Sequence, residues 1–170
     1  MNIQELMTKP AVTCRHSDSL NTAAQLMWEH DCGALPIVDD GGSLVGMITD
    51  RDICMAAYTQ GSPLDRIPVW NSMAKEVFSC HEHEPLEVAE RLMGEKQVRR
   101  VPVVDAQNRP LGMLSLNDVA RHAAAERKNN GLDREVTQTL AAIGKPRQSM
   151  PASRSRSAER PSAQPRAAAV

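Results

Sequence analysis

A hydroxyl and a carboxylate recur three residues apart in this chain: Thr49 and Asp52 within "GMITDRD", Ser115 and Asp118 within "GMLSLND". Each pair directly follows an apolar run. A carboxylate there can accept two hydrogen bonds from a vicinal sugar diol, while the hydroxyl and the free amide hydrogens of a first helical turn suit a phosphate. Because a carboxylate repels a phosphate set beside it, the sugar belongs near Asp52 or Asp118 and the phosphate nearer Thr49 or Ser115. The same spacing also makes a helix cap, with Thr or Ser at the N-cap and Asp at N3. Capping and ligand contact coexist if the carboxylate points partly outward. Gly46 and Gly112, ahead of each pair, leave room for a ligand or another backbone to come close.

The elements that must position these groups are written twice. Shifted by 66 residues without a gap, residues 7–57 match residues 73–123 at 15 of 51 positions, and apolar positions exchange mostly with apolar ones. That register demands a duplicated supersecondary unit. Each copy reads strand, helix, strand, strand, helix. "AVTC" at 11–14 and "VFSC" at 77–80 suit short strands. Asp18 is the expected cap of a helix with Leu20, Ala23, Ala24 and Met27 on one face, and Glu84 followed by Pro85 opens its counterpart. Then come "ALPIVD" with "LVGMIT", and "RVPVVD" with "PLGMLS", each pair joined by a tight reversal. Pro36 and Pro102 are expected at strand starts, where a missing amide does little harm.

One copy is too small to enclose much core, so two must pack face to face. The expected fold is an α/β (α+β) module of pseudo-twofold symmetry, with small sheets and flanking helices. Its parts are a first repeat over 1–61, a crossover over 62–72, a second repeat over 73–125, a helical extension over 126–144 and a disordered basic tail over 145–170. The tail carries +5 of a net charge of −1, which leaves −6 on the rest. An acidic body with scattered tail arginines does not suit specific nucleic-acid binding.

Other constellations are weaker. Cys14, Cys32, Cys54 and Cys80 lack CxxC spacing, so buried cytosolic thiols are expected rather than a redox pair or zinc knot. In "CHEHE" at 80–84, alternating strand residues point oppositely and Glu84-Pro85 starts a helix, which argues against a metal site. Repeated aspartates in equivalent places suggest duplicated binding rather than one acid and one base, and no catalytic triad is evident. No apolar run approaches membrane-spanning length and no leader pattern opens the chain, so a cytoplasmic protein is expected. Partial core or surface packing is the expectation for Trp28 and Trp70.

The ordered set "IQELMTKPAVTC", "ALPIVDDGGSLVGMITDRDI", "NSMAKEVFSC" and "RVPVVDAQNRPLGMLSLNDV" resembles a tandem cystathionine-beta-synthase (CBS) domain pair, or Bateman module, over roughly residues 1–125. The resemblance implies a regulatory, non-catalytic module whose clefts take adenosine-containing ligands: AMP, ADP or ATP, with S-adenosylmethionine or a dinucleotide as runners-up. It implies ribose contacts for Asp52 and Asp118, and phosphate or sugar contacts for Thr49 and Ser115. It further implies base-edge contacts along Val12-Thr13 and Phe78-Ser79, base-flanking roles for Leu35 and Val101, and a homodimer that signals to a regulated partner. Arg99-Arg100 stand where the first copy has Gly33-Ala34, which favours phosphate neutralisation around the second copy. The alternative is a structural or interaction module in which the S/T-x-x-D pairs serve only as caps.

Overall fold

The computed structural model describes residues 1–125, 138–140 and 142–143. The first copy contains β1 (Cys14–Arg15), α1 (Leu20–Glu29), β2 (Ala34–Val38), β3 (Leu44–Thr49) and α2 (Asp50–Gln60). The second repeats the series as β4 (Cys80–His81), α3 (Leu86–Lys96), β5 (Arg100–Val104), β6 (Pro110–Ser115) and α4 (Leu116–Ala125). Each copy builds a three-stranded mixed sheet, ordered β1-β2-β3 and β4-β5-β6, with one parallel and one antiparallel pairing. This is the expected duplicated α/β unit with flanking helices and pseudo-twofold symmetry.

Several local expectations are corrected. The first strands are two residues long, and residues 11–13 and 77–79 lie outside them. Ser19, not Asp18, caps α1 by accepting from Thr22 N, while Asp18 Oδ2 accepts from Arg15 N at 2.9 Å in the preceding turn. Pro85 is itself the N-cap of α3, and Glu84 Oε2 accepts from His81 N at 2.7 Å. Pro36 and Pro102 sit in the middle of the central strands, not at their starts. The reason is register. Their partners Met47 and Met113 direct both backbone polar groups away, to Ala74 and Thr8, so each proline nitrogen faces the short first strand. Pairing with β1 begins only at Ile37, and with β4 at Val103, so no ladder bond is lost.

Two hydrophobic cores form, and each borrows a segment from beyond its own sheet. Ile67, Val69 and Met73 from the crossover side pack on the first core with Leu20, Leu35, Ile37 and Ile48. The N-terminal Ile3 and Met7, their counterparts 66 residues earlier, pack instead in the second core with Leu86, Met93, Leu114 and Val119. Backbone bonds repeat the exchange: Leu20 N donates to Ile67 O at 2.8 Å, and Leu86 N donates to Met1 O at 3.2 Å. The stretch 62–72 is thus structured, with short 3-10 turns at Leu64–Arg66 and Val69–Asn71.

The glycines expected to admit a close neighbour do so for these segments. A β-carbon on Gly46 would lie 3.1 Å from Ala74 O, and one on Gly112 would lie 2.6 Å from Thr8 O. Gly61, at φ 60°, ends α2 in the left-handed region where glycine costs least. Of the extension expected over 126–144, residues 138–140 and 142–143 are helical, and a β-carbon on Gly94 in α3 would lie 3.3 Å from the β-carbon of Ala142. The rest of that extension and the basic tail lie outside the described residues.

Candidate functional site

Both repeated hydroxyl–carboxylate pairs form complete capping boxes. At α2, Asp52 N donates to Thr49 Oγ1 at 3.2 Å, and Asp52 Oδ2 accepts from Thr49 N at 2.9 Å and Thr49 Oγ1 at 2.7 Å. At α4, Asp118 N donates to Ser115 Oγ at 3.3 Å, and Asp118 Oδ2 accepts from Ser115 N at 2.8 Å and Ser115 Oγ at 2.6 Å. One carboxylate oxygen satisfies two donors at each helix start, and Oδ1 is left for other work. The copies then part. Asp118 Oδ1 pairs with Arg121 Nη2, one turn further along α4, whereas among the described residues Asp52 Oδ1 accepts no hydrogen bond.

Around Asp118 lies a cleft of about 270 Å3 built from both copies. The first contributes the extended arm Thr8–Val12 and the segment His30–Ala34; the second contributes Met113, Ser115, Asp118, Arg121 and Arg100. The register explains the arginine. Arg100 pairs with Ser115 across β5 and β6, so its side chain starts beside the capped helix. The equivalent position around Asp52 is Ala34, which pairs with Thr49. The cleft also holds His30 and Asp31, at the end of α1, where Asp31 adopts φ 48°.

Of the residues expected from sequence, the structure brings Val12, Arg100, Ser115 and Asp118 together in this cleft. Thr13 adjoins Val12, half-buried. Thr49 and Asp52 cap the other helix on the pseudo-symmetric side. Phe78, the counterpart of Val12 in the second copy, carries Lys96 Nζ 4.5 Å above its ring, with half-buried Ser79 next in sequence, and Arg99 is exposed. Leu35 and Val101 are placed differently from a base-flanking role. Both are 0% exposed and belong to the two cores, because alternation along the strand turns them inward. Arg51 donates its backbone amide to Asp50 Oδ1 and makes no side-chain ion pair among the described residues.

Sequence reasoning missed Arg121, His30, Asp31 and the arm residues Thr8 to Ala11. Arg121 had a signal: it lies three residues after Asp118, the spacing of neighbours on one helix face. The arm had none within either copy, since only the exchange between halves brings it across.

Burial pushes the Cys14 thiol up to about 12, helped by its hydrogen bond to Asp18, and pushes Cys80 up to about 11, with the nearby Glu84 adding to it. Burial also raises Cys32, against the opposing Ala34 amide and Arg100 charge. Cys54 is exposed. In "CHEHE", Cys80 is buried while His81 and His83 face out, and among the described residues no group of three or more His, Cys, Asp or Glu side chains could hold a metal. Among the same residues, no helix is long and apolar enough to cross a membrane.

The family model described as "CBS domain" matches this chain twice, over residues 3–58 and 64–125. The CBS domain-containing protein YhcV of Bacillus subtilis is 38% identical over 119 residues, which cover 70% of this chain and 83% of YhcV. The CBS domain pair of protein MJ0100, solved with 5′-methylthioadenosine and S-adenosyl-L-methionine, superposes with a TM-score of 0.67 at 30% identity, covering 75% of this chain and 98% of that one. CBSX2 in complex with AMP gives 0.64 at 27% identity, over 75% and 98% of the two chains. Hypoxic Response Protein I, solved with two coordinated zinc ions, gives 0.65 at 32% identity, over 72% and 98%. Two matches to one model, in register with two sheets and two capped helices, make this chain a member of the CBS domain family, organised as a tandem pair or Bateman module.

Proposed function

We propose that the chain is a regulatory sensor of adenine nucleotides, AMP, ADP or ATP, bound in the cleft between its halves. CBS domain pairs are regulatory modules rather than catalysts, and similar pairs are solved with adenosine-containing ligands. The observation that carries the reading is the cleft itself: an apolar arm, a buried carboxylate, a hydroxyl at a helix start and two guanidinium groups converge from both copies. Its roughly 270 Å3 lies just below the ~300–1,000 Å3 usual for small-molecule sites, and it shares Asp31, Cys32, Gly33 and Arg100 with an adjoining depression of about 620 Å3. A ligand that joins Val12 of one half to Asp118 of the other favours the geometry in which both halves contact it, and the signal is the difference in affinity between that geometry and a looser one.

The output surface we propose is a homodimer contact on α1 and α2, where Trp28 is 88% exposed and Tyr58 82%. Sedimentation of the wild type and of Trp28→Ala checks it; a wild type that stays monomeric with and without AMP removes this output.

The test of the site is calorimetric titration of the full chain with AMP, ADP, ATP and S-adenosylmethionine, repeated on a folded D52A/D118A variant. The wild type should bind saturably with a defined stoichiometry, and the variant should lose that response. The complete capping boxes favour a second reading, a structural or interaction module without a physiological nucleotide. It requires no saturable binding by the wild type, and loss of only about 1 kcal/mol of stability in each single variant.

A further inference from the structure

We infer that Arg121 is an internal competitor for the ligand's ribose, and that this makes the Asp118 cleft selective for adenosine compounds carrying a phosphate; the inference rests on the proposed nucleotide site. Asp118 is 7% exposed, and its two oxygens are divided between its own helix and Arg121. A vicinal diol that gives both hydroxyls to this carboxylate needs two acceptor sites, and with Oδ2 accepting twice and Arg121 Nη2 on Oδ1 only one is left, so the diol must displace Arg121. The freed guanidinium belongs to a side chain that lines the cleft and is 75% exposed, so it is free to turn toward a bound phosphate.

Charge balance gives the exchange its consequence. The cleft is lined by Arg100 and Arg121 against Asp31 and Asp118, with His30 at its edge, and Asp50 Oδ2 lies near Arg100 Nη1 around Gly33, so a free anion meets no formal positive excess. Once the diol occupies Asp118, Arg121 is released from its counter-ion in a cleft that Arg100 also lines. A phosphate on the same molecule then meets two guanidinium groups, the geometry that Arg offers best. Adenosine or 5′-methylthioadenosine must break the ion pair with only solvent to receive Arg121, and the sulfonium of S-adenosylmethionine adds a repulsion. Ribose and phosphate are therefore recognised together, and the sum of adenosine and inorganic phosphate does not reproduce AMP. The other copy lacks this device, because Met55 stands where Arg121 does and Ala34 where Arg100 does.

The experiment is calorimetry on the full chain carrying Asp52→Asn, so that the Asp118 cleft is read alone, titrated with AMP, adenosine and inorganic phosphate. Arg121→Ala and Arg121→Lys are then added to that background, with melting curves to establish folding. AMP should outbind adenosine by well over tenfold, and phosphate alone should bind negligibly. Arg121→Ala should strengthen adenosine and weaken AMP, lowering their ratio by about tenfold or more, the scale of one charge-assisted hydrogen bond. Arg121→Lys should keep part of the ratio. An AMP-to-adenosine ratio unchanged in Arg121→Ala overturns the inference, as does weaker adenosine binding in that variant. Asp118→Ala separates the two levels: if it leaves AMP binding intact, the site assignment fails; if it abolishes AMP binding while Arg121→Ala leaves the ratio unchanged, only the role of Arg121 fails. No binding of any compound overturns both.

Discussion

The starts of α2 and α4 hold the same capping box to within about 0.1 Å at each bond, yet their surroundings differ in charge. At α4, Asp118 meets Arg121 and shares its cleft with Arg100; at α2, the corresponding positions are Met55 and Ala34. The duplication keeps the side chains that start a helix and changes those one turn further on. A repeated S/T-x-x-D is thus evidence first about folding. What it says about ligands depends on residues outside the motif.

The largest expected effect tests the exchange of arms. Gly112→Ala sets a β-carbon 2.6 Å from the Thr8 carbonyl, a backbone atom that cannot move aside cheaply, and should cost about 2 kcal/mol or more in urea unfolding. Gly46→Ala meets Met73 Sδ at 2.6 Å, the end of a flexible side chain, with Ala74 O at 3.1 Å, and should cost less. Equal costs would mean that the two arms are held alike.

A smaller effect separates the carboxylates. Asp52→Ala and Asp118→Ala should each lose about 1 kcal/mol with the cap. The excess for Asp118 should be slight, since the Arg121 side chain is 75% exposed and its ion pair is screened by solvent. An Asp118→Ala cost several times that of Asp52→Ala would show that the pair holds the fold and not just the cleft.

The smallest effect is the most diagnostic. Met55→Arg writes the α4 arrangement into α2 and should add only about 0.3–0.5 kcal/mol, as expected of a helix pair one turn apart. In a chain whose Asp118 cleft is disabled, it should shift the remaining preference toward phosphorylated adenosine compounds. An unchanged preference would mean that the cation at this position needs Arg100 beside it.

Much of the architecture was legible because the sequence states it twice. The internal match fixed the strand pairs at 34–49 and 100–115 and both later helix starts, where hydrophobic alternation and caps agree. The misjudged details lie where tertiary context overrides local pattern. Pro36 looks disruptive until one knows that Met47 bonds elsewhere, and Leu35 looks like a cleft wall until strand alternation turns it into the core. In the cleft, Ser115 and Asp118 announced themselves by motif and Arg100 by contrast with Ala34. The Thr8–Val12 arm crosses to the other half, which no pattern within one copy specifies.

That crossing has a consequence for how the molecule is made. Ile3 and Met7 leave the ribosome before the first sheet but find their seats only among Leu86, Leu114, Val119 and Ala123, roughly eighty or more residues later. Those two residues must wait, unseated, while the first sheet assembles with Ile67 and Val69, and the fold closes like a clasp whose early link is fastened last. A bulky fusion ahead of Met1 should therefore slow the final step of maturation more than the early ones, and pulse-chase proteolysis of nascent chains would reveal the delay as late protection of the amino terminus.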